Sequence, residues 1–563
     1  MPPTTAQERA AEAASRYLSN IVVIDDKMSM GDSGDTHGLN VDELSNAFAK
    51  VDFSCGIYKP RGLQDEAGII AKLVRKSDAA VLDWNLTNGL QADALGAQQA
   101  TGQGTALCTS VIRKVLEDDD SSGNPIRLLL IYTAEGINET LVQDLHAALG
   151  RDELEVLPTG EFGLASQNVK IVFKAKPSAG GAAIPFDRTT LSLLDLPGYI
   201  VEQYAELASG LMPPAILHGL AALREKTGAL LGTFNKSLDP AMVMHAILME
   251  NKEDASNYLC TLLSEECASI IGDCSGIHNC LSTDAVEEWV RQKNNYTARH
   301  ESGIVYTSDY IAKILKTDGH DKFIPGNDAI RMLSAIYDDD NWWCNAKNFC
   351  RLCTLKHDPH SSTRSLAMDF KPKLTLGTIL KRKNDYFLCI VPPCDAARVT
   401  KGQQFPFIKL VLKNIDENFS FSVGDSSHDD RLLAKPKTVS WKTLSILRFC
   451  PTKPSTKALG QWDQRLDAFY FKEANGNPYE WLGELKRHVA LKLAIDLAPG
   501  LSRVGVDEFD WLRRKAQSSA NSDKGQSSGP SVAPNQSPDG KGEVSGPNEA
   551  DREAGNMGER PVS

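Results

Sequence analysis

Three acids, a hydroxyl and an ammonium group stand at the ends of apolar runs in this chain. The run 21–24 leads directly into Asp25 and Asp26, 79–82 into Asp83, 128–132 into Thr133, and 169–173 toward Lys176 and Pro177. The carboxyl ends of parallel strands are where ligands and active sites gather in an open α/β sheet. If the first and third runs are neighbouring strands, the three carboxylates converge. Their mutual repulsion then calls for a hard divalent cation, and Mg²⁺ suits oxygen ligands while keeping positions for water and phosphate. A hydroxyl can bond one phosphoryl oxygen, an ammonium can neutralise another, and the cation can hold a third. That is the equipment of phosphoryl transfer, in which catalysis is mostly positioning and charge stabilisation. The nucleophile would be a carboxylate oxygen of Asp83.

The elements that must position these groups alternate in the manner of a parallel sheet. Strands are predicted at 21–26, 53–58, 79–86, 128–135 and 169–173, with helices near 67–75, 105–116 and 139–149 between them. This is the pattern of a doubly wound α/β domain with five parallel strands in the flavodoxin-like order 2-1-3-4-5.

The segments IDD, VLDWNL and LLIYTAE and the pair Lys176-Pro177, in this order and at these strand ends, resemble the response-regulator receiver family, in its divergent "response receiver domain" form. The resemblance covers residues 19–200. It implies that Asp25 and Asp26 bind Mg²⁺, that Asp83 is phosphorylated by a histidine kinase, and that Asn85 offers its backbone carbonyl to the metal. It further implies that Thr133 is the switch hydroxyl, Lys176 the phosphate-contacting lysine and Phe173 the aromatic switch. The long spans between these residues imply insertions after Asp83 and after Gly150. FKAKP also offers Lys174, and since side chains two apart on a strand share a face, parity leaves Lys174 and Lys176 both open.

At 563 residues the chain should form several domains. An N-terminal helix is expected over 1–18, the receiver over 19–200, amphipathic helices over 201–365 and a small β-rich module over 366–516. The module should close with helices near 480–497 and 506–516. Beyond 517 the sequence is Ser, Gly, Pro, Asn and charge, the composition of a disordered tail. No stretch approaches eighteen uninterrupted apolar residues, and the opening residues lack a signal-peptide run, so a cytoplasmic location with no membrane role is expected.

The second half carries weaker signals. Cys344, Cys350 and Cys353, with His357 and His360 behind them, suggest zinc by ligand type, but a single CxxC fits no standard finger. The same stretch reads equally as a helix burying Trp343, Phe349 and Leu352. Cys260 and Cys267, seven apart on a predicted helix, should face a core, and Cys394 beside Asp395 suits a proline-fixed turn better than a nucleophile. A net charge of -12 argues against wholesale polyanion binding, yet residues 371–460 hold 16 basic and 7 acidic side chains. No familiar enzyme motif marks the C-terminal half.

Three functions follow: a phosphoacceptor that controls a C-terminal output, a phosphate sink or decoy with a scaffold C-terminus, which the resemblance extends to phage-defence relays, and a regulated nucleic-acid-binding effector. A protein partner for the helical region is a further expectation.

Overall fold

In this computed structural model the described residues are 5–29, 39–86, 97–158, 160–177, 189–248, 252–292, 298–299, 305–316, 342–359, 370–397, 399, 401–414, 419–424, 430–437, 442–453 and 455–496. The expected tail and the helix at 506–516 lie outside them.

The chain opens with α1 (Ala6–Tyr17), started by a reciprocal cap between Thr5 and Glu8. A mostly parallel sheet follows, built from β1 (Asn20–Ile24), β2 (Ser54–Tyr58), β3 (Ala79–Leu82), β4 (Arg127–Thr133), β5 (Glu155–Val156), β6 (Gly163–Ala165) and β7 (Val169–Ala175). Its order is β2-β1-β3-β4-β7-β6-β5. The sheet therefore has seven strands where five are predicted. The two extra strands, β5 and β6, occupy the insertion after Gly150 and add antiparallel at the edge of β7. They are two and three residues long, too short to carry a periodic signal.

Apolar side chains on both faces explain why the strands sit centrally: all seven residues of β4 are buried. Leu129 and Ile131 face one core with α3 (Glu66–Lys76), α4 (Ala97–Ser121) and α5 (Glu139–Leu149). Leu128, Leu130 and Tyr132 face a second core with α1, α2 (Val41–Ala49) and α6 (Leu196–Leu207). Ala10, Ala13 and Ala14 are buried on α1, and their small size lets that helix lie close to α6 and α7 (Met212–Thr233).

The helical region continues through α8 (Asp239–Leu248), α9 (Lys252–Gly272), α10 (Ser275–Cys280), α11 (Thr283–Gln292), α12 (Ser308–Leu315) and α13 (Trp342–Thr354). It is tied to the sheet's amino edge by charge. Arg224 on α7 donates to Asp78 at 2.8 and 3.0 Å and to the Tyr17 carbonyl at 2.7 Å, and Arg9 on α1 meets Glu288 on α11 at 2.6 Å. Among the described residues no helix is long and apolar enough to cross a membrane.

An antiparallel half-barrel follows, with β8 (Leu355–His357), β9 (Thr378–Arg382), β10 (Asp385–Cys389), β11 (Gln403–Lys413), β12 (Phe421–Gly424), β13 (Asp430–Ala434), β14 (Leu444–Phe449), β15 (Gln461–Asp463), β16 (Ala468–Lys472) and β17 (Pro478–Leu485). The main path runs β12-β13-β11-β10-β9-β17-β16-β15, while β8 pairs with β17 and β14 with β11. The helix expected from 480 is a strand as far as Leu485, because β9 and β16 pair with this segment on either side and its successive residues Trp481 and Leu482 are buried in separate cores. Helical residues begin only at Arg487.

Candidate functional site

The site is built by main-chain pairing that continues past the strand ends. β1 and β3 are neighbours in register, Ile24 opposite Leu82, and the Asp83 amide donates to the Ile24 carbonyl at 2.9 Å. The Asp25 amide donates to the Tyr58 carbonyl on the other side. These bonds bring Asp25, Asp26 and Asp83 to one rim, where all three are buried and a carboxylate oxygen from each lies within 4.8 Å of the others.

Lys176 completes the cluster. Its amide donates to the Thr133 carbonyl at 2.7 Å, extending the ladder between β4 and β7, and its Nζ reaches Asp25 Oδ2 at 2.6 Å and Asp83 Oδ1 at 3.1 Å. The second Asp25 oxygen accepts from the Lys27 amide at 2.7 Å. Lys174 goes elsewhere: its Nζ lies 4.8 Å over the Tyr199 ring on α6. Equal parity on the strand thus does not mean an equal destination, because Lys176 lies just past the last paired residue of β7 and its long side chain turns over the rim.

Three carboxylates against one ammonium leave an excess of two negative charges when all are ionised. Burial is the first reason that the Asp83 carboxyl is pushed up to about 7; Lys176 opposes the shift and the charges of Asp25 and Asp26 add to it. For Lys176 burial acts to lower the pKa, but the charges of Asp83 and Asp25 outweigh it and the net direction is up. The donor chemistry and the charge excess both fit a hard divalent cation, whose bonds of about 2.1 Å can gather oxygens with this spread after small side-chain shifts.

Thr133 is fully buried, and its Oγ1 accepts from the Glu135 amide at 3.1 Å. Glu135 in turn accepts from the Asn85 side-chain amide at 3.1 Å, linking the segments that follow β3 and β4. Phe173 is only 2% exposed and packs edge-on against Trp84, with ring centroids 5.6 Å apart. Sequence reasoning assigned no role to Trp84 or Glu135. The position of Trp84 between Asp83 and Asn85 was the signal that could have singled it out.

The zinc candidates do not converge. Among the described residues the acid trio is the only group of three potential ligands that meet, and no three of Cys344, Cys350, Cys353 and His357 do so. Cys344 and Cys353 are exposed on α13, and the His357 Nδ1 is engaged 3.0 Å from Glu484. The alternative reading of that helix also needs correction, since Phe349 and Leu352 are 51% and 42% exposed. Cys260 is exposed and Cys267 half-buried, so neither sits in a core. His360 and the Cys394 side chain lie outside the described residues.

Fold and site together define an open α/β domain with a buried acidic cluster at the carboxyl edge of its parallel strands, the edge where ligands gather in such sheets. Residues 9–180 match the family model of the response receiver domain, and the remainder of the chain is assigned to no family. No curated protein and no solved structure matches the chain.

Proposed function

We propose that this protein is a cytoplasmic phosphoacceptor of a two-component relay and that Asp83 takes a phosphoryl group from the phosphohistidine of a histidine kinase. A carboxylate oxygen of Asp83 attacks phosphorus, the N–P bond breaks with its electron pair returning to the imidazole, and an acyl phosphate remains on Asp83. The observation that carries this reading is the Lys176 ammonium, held within hydrogen-bond distance of both Asp25 and Asp83 in a buried rim. There it can neutralise a phosphoryl oxygen as charge moves onto it.

Asp25, Asp26 and Asp83, with the backbone carbonyl of Asn85, would hold Mg²⁺, which when bound supplies positive charge beside the phosphoryl oxygens. The parallel order β2-β1-β3-β4-β7, the flavodoxin-like order of a receiver, supports the assignment by making β1 and β3 neighbours. Thr133 then donates its hydroxyl hydrogen to the acyl phosphate, its oxygen being the acceptor for the Glu135 amide, and the Phe173–Trp84 pair repacks with it. The ion pairs from α7 and α11 to the receiver side support coupling to an output rather than a free-standing phosphate sink.

Incubation with Mg²⁺ and acetyl phosphate should label Asp83 at one phosphoryl group per chain. Equal labelling of an Asp83→Ala variant would end the proposal.

A further inference from the structure

The proposed chemistry leaves unused a cavity of about 940 Å³ between α9 and the β module. Main-chain pairing of two short segments makes it basic. Lys373 bridges Leu459, the Leu374 amide donates to the Ala458 carbonyl at 3.0 Å, and the Gly460 amide donates to the Pro372 carbonyl at 2.8 Å. Pairing these segments brings Lys371, Lys373 and Lys457 into one lining, where Lys356 and Arg487 join them. Against these five cations the lining holds two carboxylates, Glu265 and Glu484, and Glu484 is already engaged by Lys356 at 3.1 Å and His357 at 3.0 Å. In a chain of net charge -12 such a concentration runs against the average.

Planar rings share the same lining. The centroids of Phe370 and His357 are 4.8 Å apart, and Trp481 backs Phe370 at 5.6 Å. The volume lies in the range of small-molecule sites. Single-stranded nucleic acid needs a groove that tracks several nucleotides, whereas one cavity of this volume matches a single small molecule. We propose that this cavity binds a nucleotide, with Lys371, Lys373 and Arg487 on the phosphates and the base against Phe370 and His357. The site does not depend on the receiver reading.

The test is calorimetric titration of the full chain with ATP, GTP and tripolyphosphate in EDTA, which keeps the acid trio free of added cation. A nucleotide should bind, and Lys371→Glu with Lys373→Glu should raise its Kd about 100-fold, roughly tenfold per exposed cation. Phe370→Ala should weaken the nucleotide about tenfold and leave tripolyphosphate within twofold. Both variants can be checked for native melting, so loss of fold cannot be mistaken for loss of binding. Absence of binding by ATP and GTP at several millimolar would overturn the proposal. So would undiminished binding by the double variant, or tight binding of a single-stranded oligonucleotide by a protein that ignores both nucleotides.

Discussion

Replacing Lys176 with Met keeps the apolar stem and removes the charge that lies 2.6 Å from Asp25 and 3.1 Å from Asp83. If that ammonium stabilises charge on the transferring phosphoryl group, its loss resembles deletion of one preorganised donor and should slow labelling by about 100- to 1,000-fold. A stability effect accompanies it. Without the cation, buried carboxylates lose their counter-charge, which in EDTA should lower stability by about 3 kcal/mol. Lys174→Met is the matched control, since its Nζ lies over Tyr199 and its loss should cost about 0.5–1 kcal/mol with less than a twofold change in rate. The assay is single-turnover labelling by acetyl phosphate in excess Mg²⁺, with urea unfolding of each variant alongside. Labelling of Lys176→Met at the wild-type rate, or slower labelling by Lys174→Met than by Lys176→Met, would refute the assignment.

Mg²⁺ at a hundred times its Kd should stabilise the folded chain by about 2.7 kcal/mol, and Asp26→Asn should remove most of that increment, read as the Mg²⁺-dependent part of the melting shift. Arg127 and Asp119 form a buried two-point pair at 2.9 Å, and Arg127 also reaches the Val74 and Ser77 carbonyls, so Arg127→Met should cost about 3–5 kcal/mol in urea unfolding. Burial acts to raise the Glu484 carboxyl, but its bond to His357 and the Lys356 charge hold it below the ordinary carboxylate range. A depressed carboxyl contributes stability above its unfolded pKa and loses it as pH falls through the folded value. Glu484→Gln should therefore lower stability at pH 7 and flatten the loss below about pH 4.5; an unchanged acid limb would count against the pair.

How much of this was legible in the sequence depends on where each signal lived. Strands buried on both faces advertise themselves as apolar runs, and acids that end them stand out, so β1, β3, β4 and β7 and the residues at their ends could be read directly. The choice between Lys174 and Lys176 could not be, because parity is blind to the point where a ladder stops. Nor could the segment 478–485. Its apolar positions Tyr479, Trp481, Leu482 and Leu485 suit a helix face as well as a strand, and strand pairing with β9 and β16 decided the matter. Gly483, at φ +141, sits at the irregularity in that pairing, a backbone state that marks a bulge and leaves no periodic trace.

The basic cavity is the strongest case of information that composition carries without address. An excess of lysine and arginine over 371–460 was countable, but the same count describes a solvated surface. The bridge between Lys373 and Leu459 is what turns three lysines, the farthest 86 positions apart, into one lining, and the two further cations come from outside the counted stretch. The acid rim needed only local signals and a strand order. The cavity needs a long-range pairing between segments with no periodicity of their own, so only the folded chain reveals which charges act together.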